Sequence, residues 1–173
     1  MDSLLFHPKL VHLPIALAVL MPLIAGGLLL AWWREWLPRR AWLGAVLLQL
    51  VLVVSGVGAL WSGEADEDRV ERVVAESHIE AHEHAAKRFV LASGVVLGLM
   101  LIGAVVSEKR FGRAAAGVAT AGTLGVLALG YQTGEAGGGL VYTHGAAQAH
   151  QGTSFQKDIP AVAATAEEDD DDD

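Results

Sequence analysis

The stretch VAESHIEAHEHAAKRFVLASGVVLGLMLIGAVV (Val74–Val106) decides how this chain folds. Its second part, Phe89–Val106, is an apolar run without Asp, Glu, Lys or Arg, long enough to cross the roughly 30 Å hydrocarbon core of a bilayer as a helix. Its first part carries His78, His82 and His84 directly before that run. The stretch therefore predicts a membrane-spanning helix with an imidazole-rich extension at one end.

Three further runs of the same kind predict three further spans: Leu10–Trp33, Ala41–Trp61 and Ala114–Tyr131, again without charged residues. Within lipid only helices and closed barrels satisfy their backbone hydrogen bonds, and runs of this length favour helices. We therefore predict an all-α fold, a four-helix transmembrane bundle over residues 1–151 with an outer helical extension before the third helix. Residues 152–173 end in a block of Glu and Asp and are predicted to form a disordered acidic tail.

Composition excludes several classes of function. The chain is 53% apolar and only 18% charged, which is too apolar for an ordinary soluble domain. It contains no cysteine, so disulfides, thiolate-held iron–sulfur clusters and covalently attached c-type haem are excluded. A net charge of −8 argues against a nucleic-acid partner.

The two short loops predict the orientation in the membrane. Arg34–Arg40 and Ser107–Arg113 carry six Lys or Arg between them, against two acids. The positive-inside rule places such loops in the cytoplasm, with Trp32, Trp33, Trp36 and Trp42 forming an interfacial belt beside them. We therefore expect a multi-pass protein of the bacterial inner membrane whose two termini lie outside, on the periplasmic side.

This topology puts every histidine on the outer side. His7 and His12 open the first helix, three histidines precede the third helix, and His144 and His150 follow the fourth. Many polar residues lie on that side in any case. The location of the histidines on one side is therefore, taken alone, weak evidence that they form a common site.

The segment before the third span shows helical periodicity. Residues 66–88 contain no Gly or Pro and are expected to run as one helix into that span. His82 falls in an apolar stripe at helical spacing, and His78 lies one turn earlier on the same side, whereas His84 shares a polar face and is expected to point to water. The stripe consists of Ala75, Ile79, His82, Ala86 and Phe89.

A glycine-rich segment, Gly134–Ala146, follows the fourth span. Glycine permits a turn or a close backbone approach, so the segment is either a contact surface or a flexible exit loop.

Three short elements resemble a known family. HPKLVHLPIAL (His7–Leu17), IEAHE (Ile79–Glu83) and GGLVYTHG (Gly138–Gly145) are similar to the HPxxVHxPIAL, IxxHE and GxLVYxHG elements of a bacterial four-helix membrane family called domain of unknown function 2231. The resemblance covers about residues 5–147. It implies functional roles for His7, His12, His82 and His144, and for Tyr142. Members of the family resemble, or occur fused to, Rieske-type and cytochrome modules, which implies a redox setting.

The leading hypothesis is a membrane redox subunit that binds haem b, because imidazole is the usual axial ligand of haem iron and helix bundles hold cofactors between their helices. Lys9, Lys87 and Arg88 lie at the level of the histidines and are candidate partners of the haem propionates. Electrons would pass at the outer face to a partner subunit or a periplasmic carrier.

Two alternatives stay open. One is a zinc, copper or iron site without porphyrin; its candidate ligands are His7, His12, His78, His82 and His144. The other is a non-catalytic anchor subunit of a redox complex, whose histidines make interfacial hydrogen bonds. No nucleophile motif supports hydrolysis.

The orientation is testable because the chain has no cysteine of its own. A cysteine introduced beside Arg39 should stay unlabelled by an impermeant thiol reagent added to intact cells. Labelling from outside would contradict the predicted orientation.

Overall fold

A computed structural model describes residues 10–146 of the chain, and this part forms four long α-helices. They are α1 (His12–Trp33), α2 (Trp42–Val70), α3 (Glu76–Val105) and α4 (Lys109–Tyr142), with a single 3-10 turn, Arg39–Ala41, before α2. Each is long and apolar enough to cross a membrane. The predicted all-α, four-helix fold is thereby confirmed. His7, Lys9, His150 and the predicted tail over 152–173 lie outside the described residues, and so do the side chains of residues 66, 68 and 69.

The helices form a closed ring in which neighbours in sequence are neighbours in space. α1 packs against α2 and α4, and α3 packs against α2 and most extensively against α4. Short connections force consecutive helices to run antiparallel. One end of the bundle therefore holds the start of α1, the α2–α3 turn and the end of α4, and we call it the histidine end. The other end holds the loops 34–41 and 106–108, and we call it the basic end.

Three of the helices extend beyond the apolar runs that predicted them. α2 continues past Trp61 to Val70, α3 begins at Glu76 rather than Phe89, and α4 continues past Tyr131 to Tyr142. Charged residues end an apolar run without ending a helix, so hydropathy locates the hydrocarbon-facing part and misses the extension. All these extensions project at the histidine end.

The expectation of one unbroken helix over residues 66–88 is wrong. The chain turns at 71–75, where Ala75 has extended backbone dihedral angles (φ −64°, ψ 134°) before α3 begins. The side chain of Val74 is only 5% exposed and holds this turn against the bundle. A tight turn is required because α3 has to run back alongside α2, and neither Gly nor Pro marks the position.

At the basic end, arginine side chains occupy the carboxyl ends of two helices. A guanidinium nitrogen of Arg39 donates to the carbonyls of Ala104 and Val106 at the end of α3, and Arg113 donates to the carbonyl of Trp32 at the end of α1 (3.3 Å). These carbonyls have no partner inside their own helices, and a cation also complements the negative end of the helix dipole. Glu35 pairs with Arg113 at 3.5 Å.

Two of the four tryptophans expected in an interfacial belt lie instead inside the bundle. Trp32 and Trp42 are only 5% and 1% exposed, and their ring centroids are 6.3 Å apart. Nε1 of Trp42 donates to the carbonyl of Met100 in α3 (3.0 Å), which satisfies its polar atom. Trp33 and Trp36 are well exposed, as a belt requires. The belt prediction is therefore right for the second pair and wrong for the first.

The closest helix contact is a series of glycines and small residues between α3 and α4, which we call the α3–α4 seam. Running from the basic end, it pairs Gly103 with Ala116, Val96 with Gly122, Phe89 with Gly130 and His82 with Gly137. The α3 members recur every seven residues, which is the spacing of left-handed helix packing. Small residues let two membrane helices approach closely where no hydrophobic force drives them together.

The seam predicts opposite effects for two glycine substitutions in the same pair of helices. A Cβ atom at Gly103 would lie 3.2 Å from the backbone nitrogen of Ala116, whereas a Cβ atom at Gly117 meets nothing within 4 Å. Gly103→Ala should lower the stability of the protein in detergent by about 1–3 kcal/mol through overpacking. Gly117→Ala should leave it unchanged or raise it by about 0.4–1 kcal/mol. Thermal unfolding followed by circular dichroism measures both, and equal shifts would contradict the seam.

Candidate functional site

Two histidines from different helices touch at the histidine end. His78, in the first turn of α3, and His144, just beyond the end of α4, stack with ring centroids 3.8 Å apart and ring planes 19° apart. The two residues are far apart in sequence. They meet because α3 and α4 run antiparallel and both extend beyond the apolar part of the bundle. The ring of His78 is on the exposed side and His144 is half-buried.

His82 lies one turn deeper and belongs to the seam. A Cβ atom at Gly137 would lie 3.0 Å from Cε1 of His82 and 3.4 Å from its Nδ1, so the imidazole rests directly against the α4 backbone. His82 is one heptad before Phe89, which packs against Gly56 and Gly130 inside the bundle. The predicted apolar stripe is confirmed in its main feature: the imidazole is half-buried on the face that packs against α4.

The glycine-rich segment is the last part of α4 rather than an exit loop. The helix continues through Tyr142, and the chain turns at Gly145, whose φ of 74° is in the left-handed region that favours glycine. The expected close approach occurs at Gly137, against His82. At Gly138 and Gly139, which are turned away from Gly137 around α4, a Cβ atom would meet nothing within 4 Å.

The charged residues near the histidines differ in their partners. Nζ of Lys87 contacts Oε1 of Glu83 at 2.5 Å, one turn apart along α3. A haem propionate would therefore have to compete with Glu83 for Lys87, and Glu83 is engaged before it could act as a metal ligand or orient one. Arg88 forms no ion pair within residues 10–146 and lies at the outer end of an apolar groove between α3 and α4.

The other predicted site residues are spread over the histidine end. His12 is the first residue of α1 and is exposed, and Tyr142 is 90% exposed at the end of α4. His84 is exposed, as its polar face indicates. His7 and Lys9 fall outside the described residues. The structure thus brings His78, His82 and His144 to one corner of the bundle, and it does not bring Tyr142 to them.

This corner offers imidazole nitrogens in a partly enclosed setting. Within residues 10–146, no three His, Asp or Glu side chains come together closely enough to hold a metal ion. The stacked pair supplies two imidazoles that share one small region, and rotation about their side-chain bonds would direct a nitrogen of each towards a common point. A porphyrin between the same two rings would first require them to separate.

Sequence reasoning missed two features of this corner. The sequence predicts His78 and His144 among the candidate ligands of one metal site, but it does not predict that their rings stack, because the end of α4 was not expected to be helical. The role of Gly137 as the surface under His82 was also missed. Its signal was present: His82, Phe89, Val96 and Gly103 are each seven residues apart, which marks one packing face that includes the histidine.

Comparison of this chain with family models found no match, and comparisons with curated proteins and with solved structures found none either.

The contact between His82 and Gly137 can be tested with matched substitutions in α4. Gly137→Ala should displace the imidazole, because the new methyl group would lie 3.0 Å from Cε1, whereas Gly134→Ala adds a methyl group in open space. In histidine-labelled protein, NMR should show the ring signals of His82 shifting strongly in the first variant and little in the second. The same small shift in both would show that His82 does not pack on α4.

Proposed function

We propose that this chain is a membrane-embedded redox subunit that binds haem b with histidines at the histidine end of the bundle. The observation that carries the proposal is the convergence of His78, His82 and His144 on one corner, from two helices that also span the bilayer. A helix bundle with imidazoles on facing helices is a common setting for haem, and bound haem would supply one-electron chemistry at that face.

The residues of this corner fit haem in chemistry and in part in shape. Imidazole is the usual axial ligand of haem iron, and His82 is held in one orientation by the α4 backbone. His12, at the start of the neighbouring α1, and His144 are the other axial candidates. Of the candidate propionate partners other than Arg88, Lys87 would have to leave Glu83, and Lys9 lies outside the described residues.

A second candidate, a zinc, copper or iron site without porphyrin, is favoured by the stacked pair. The two imidazole rings are in contact, so the space that both can reach is small. A single metal ion fits such a space better than the wide, planar porphyrin of haem does. Two ligands leave coordination positions for water or for further donors. A metal-bound protein without haem would carry out its chemistry at the same corner.

The remaining parts of the proposal concern family, orientation and partners. We propose membership of the family called domain of unknown function 2231 on the strength of the three sequence elements, and an inner-membrane orientation with the histidine end periplasmic. Electrons would then pass only at that face, to a partner subunit or a periplasmic carrier. The basic end supports electron transfer at the histidine end alone, since its described residues include arginines and tryptophans but no histidine.

Spectra of purified protein test this proposal and separate the two candidates. Haem b should give a Soret band that sharpens and shifts when dithionite is added, together with stoichiometric iron. His82→Ala should lower or alter this band, and so should His12→Ala or His144→Ala, whichever removes the second of the two axial ligands. His84→Ala is the matched control, since this exposed histidine lies outside the corner.

Each result has a distinct meaning. Normal haem content in all three ligand variants would contradict the assignment. Stoichiometric zinc, copper or iron without a Soret band, lost in His78→Ala and His144→Ala, would support the second candidate. Absence of both haem and metal from protein made with both supplied would leave the anchor subunit as the function.

A further inference from the structure

We infer that the groove between α3 and α4 binds one anionic phospholipid, with an acyl chain along the groove and the phosphate at Arg88. The groove lies on the lipid-facing side of the bundle and has a volume of about 480 Å³. Apart from Arg88 at its mouth, its walls are apolar: they include Leu91, Val95 and Leu99 from α3 and Gly125 and Leu129 from α4.

The length of the groove matches one leaflet of a bilayer. From Arg88 to Leu99, α3 rises about 16 Å at about 1.5 Å per residue. The hydrocarbon core is about 30 Å thick, so the groove covers about half of it. An acyl chain entering from the histidine end would fill this length.

The charge at the mouth of the groove selects the headgroup. Arg88 directly precedes the apolar run that starts at Phe89, which puts its guanidinium at the level of lipid phosphates. It forms no ion pair within residues 10–146, whereas its neighbour Lys87 is paired with Glu83. Guanidinium groups bind phosphate oxygens through paired hydrogen bonds. The mouth therefore offers an anionic headgroup a guanidinium that pairs with none of the carboxylates whose side chains the structure describes.

Glycines on α4 create the space for the chain. Gly125 lines the groove, and a Cβ atom there would meet nothing within 4 Å, so the backbone itself forms the floor of the groove. A leucine at this position would occupy the groove without meeting a neighbouring side chain at its Cβ atom. Gly117, on the same helix, is equally open but does not line the groove, and it is the matched control.

The test is native mass spectrometry of the full chain released from nanodiscs of equimolar phosphatidylglycerol and phosphatidylcholine. The unmodified protein should retain one phosphatidylglycerol in preference to phosphatidylcholine. Arg88→Gln should lower this preference about fivefold, the order expected for one basic residue at an anionic surface. Gly125→Leu should remove retention of both lipids. Arg72→Gln, an exposed arginine at the same end, and Gly117→Leu should change nothing.

Several outcomes would overturn the inference. They are equal retention of the two lipids by the unmodified protein, unchanged preference in Arg88→Gln, and unchanged retention in Gly125→Leu. A dimer that Gly125→Leu dissociates would show that a second copy covers the groove instead. Circular dichroism of each variant confirms that the four helices remain folded, so that loss of lipid reports on the groove itself.

Discussion

The close approach of α3 and α4 is the contact on which the rest of the structure depends. Lipid surrounds the bundle and is as apolar as the helices, so their association rests on packing at short range. In the α3–α4 seam, small residues on either helix face the partner at regular intervals, and a register fixed at Gly103 and Ala116 is carried to the opposite end. That register sets which histidines meet.

The seam explains why a histidine on an otherwise polar helix extension is half-buried. His82 occupies the packing position that Phe89 and Val96 occupy further down α3, and a Cβ atom at Gly137 would lie only 3.0 Å from Cε1 of its ring. The stacked His78 and His144 lie one turn further out, where the helices leave the seam. At the basic end, side chains make the contacts that hold the bundle together. Arg39 and Arg113 donate hydrogen bonds to backbone carbonyls at the carboxyl ends of α3 and α1.

The four helices were predictable because apolar runs without charge are uncommon outside membranes, and each of the four runs proved helical. The periodicity before Phe89 predicted the helical start of α3, whereas the continuation of α2 to Val70 and of α4 to Tyr142 was not predicted, since a helix continues through Glu and Gly beyond its apolar run. The turn at 71–75 carries no Gly or Pro and follows from the need to reverse direction. Trp32 and Trp42 were misplaced because sequence alone cannot separate a lipid-facing indole from one that donates into a neighbouring helix. Within the site, the stripe containing His82 was readable from its spacing, whereas the contact of His78 with His144 depends on the register of two helices.

The start of α3 and the end of α4 meet at one corner of the bundle, and cross-linking of introduced cysteines reports on that contact. In this cysteine-free chain, His78→Cys combined with His144→Cys places two thiols at the stacked positions. Mild oxidation in membranes should join them within one chain more readily than it joins a pair whose side chains do not touch, since disulfide formation brings the two Cα atoms to within about 7 Å. His84→Cys combined with His144→Cys should stay reduced, because His84 faces away from the corner. Equal cross-linking of the two pairs, or dimers linked between chains in place of the internal disulfide, would contradict the account.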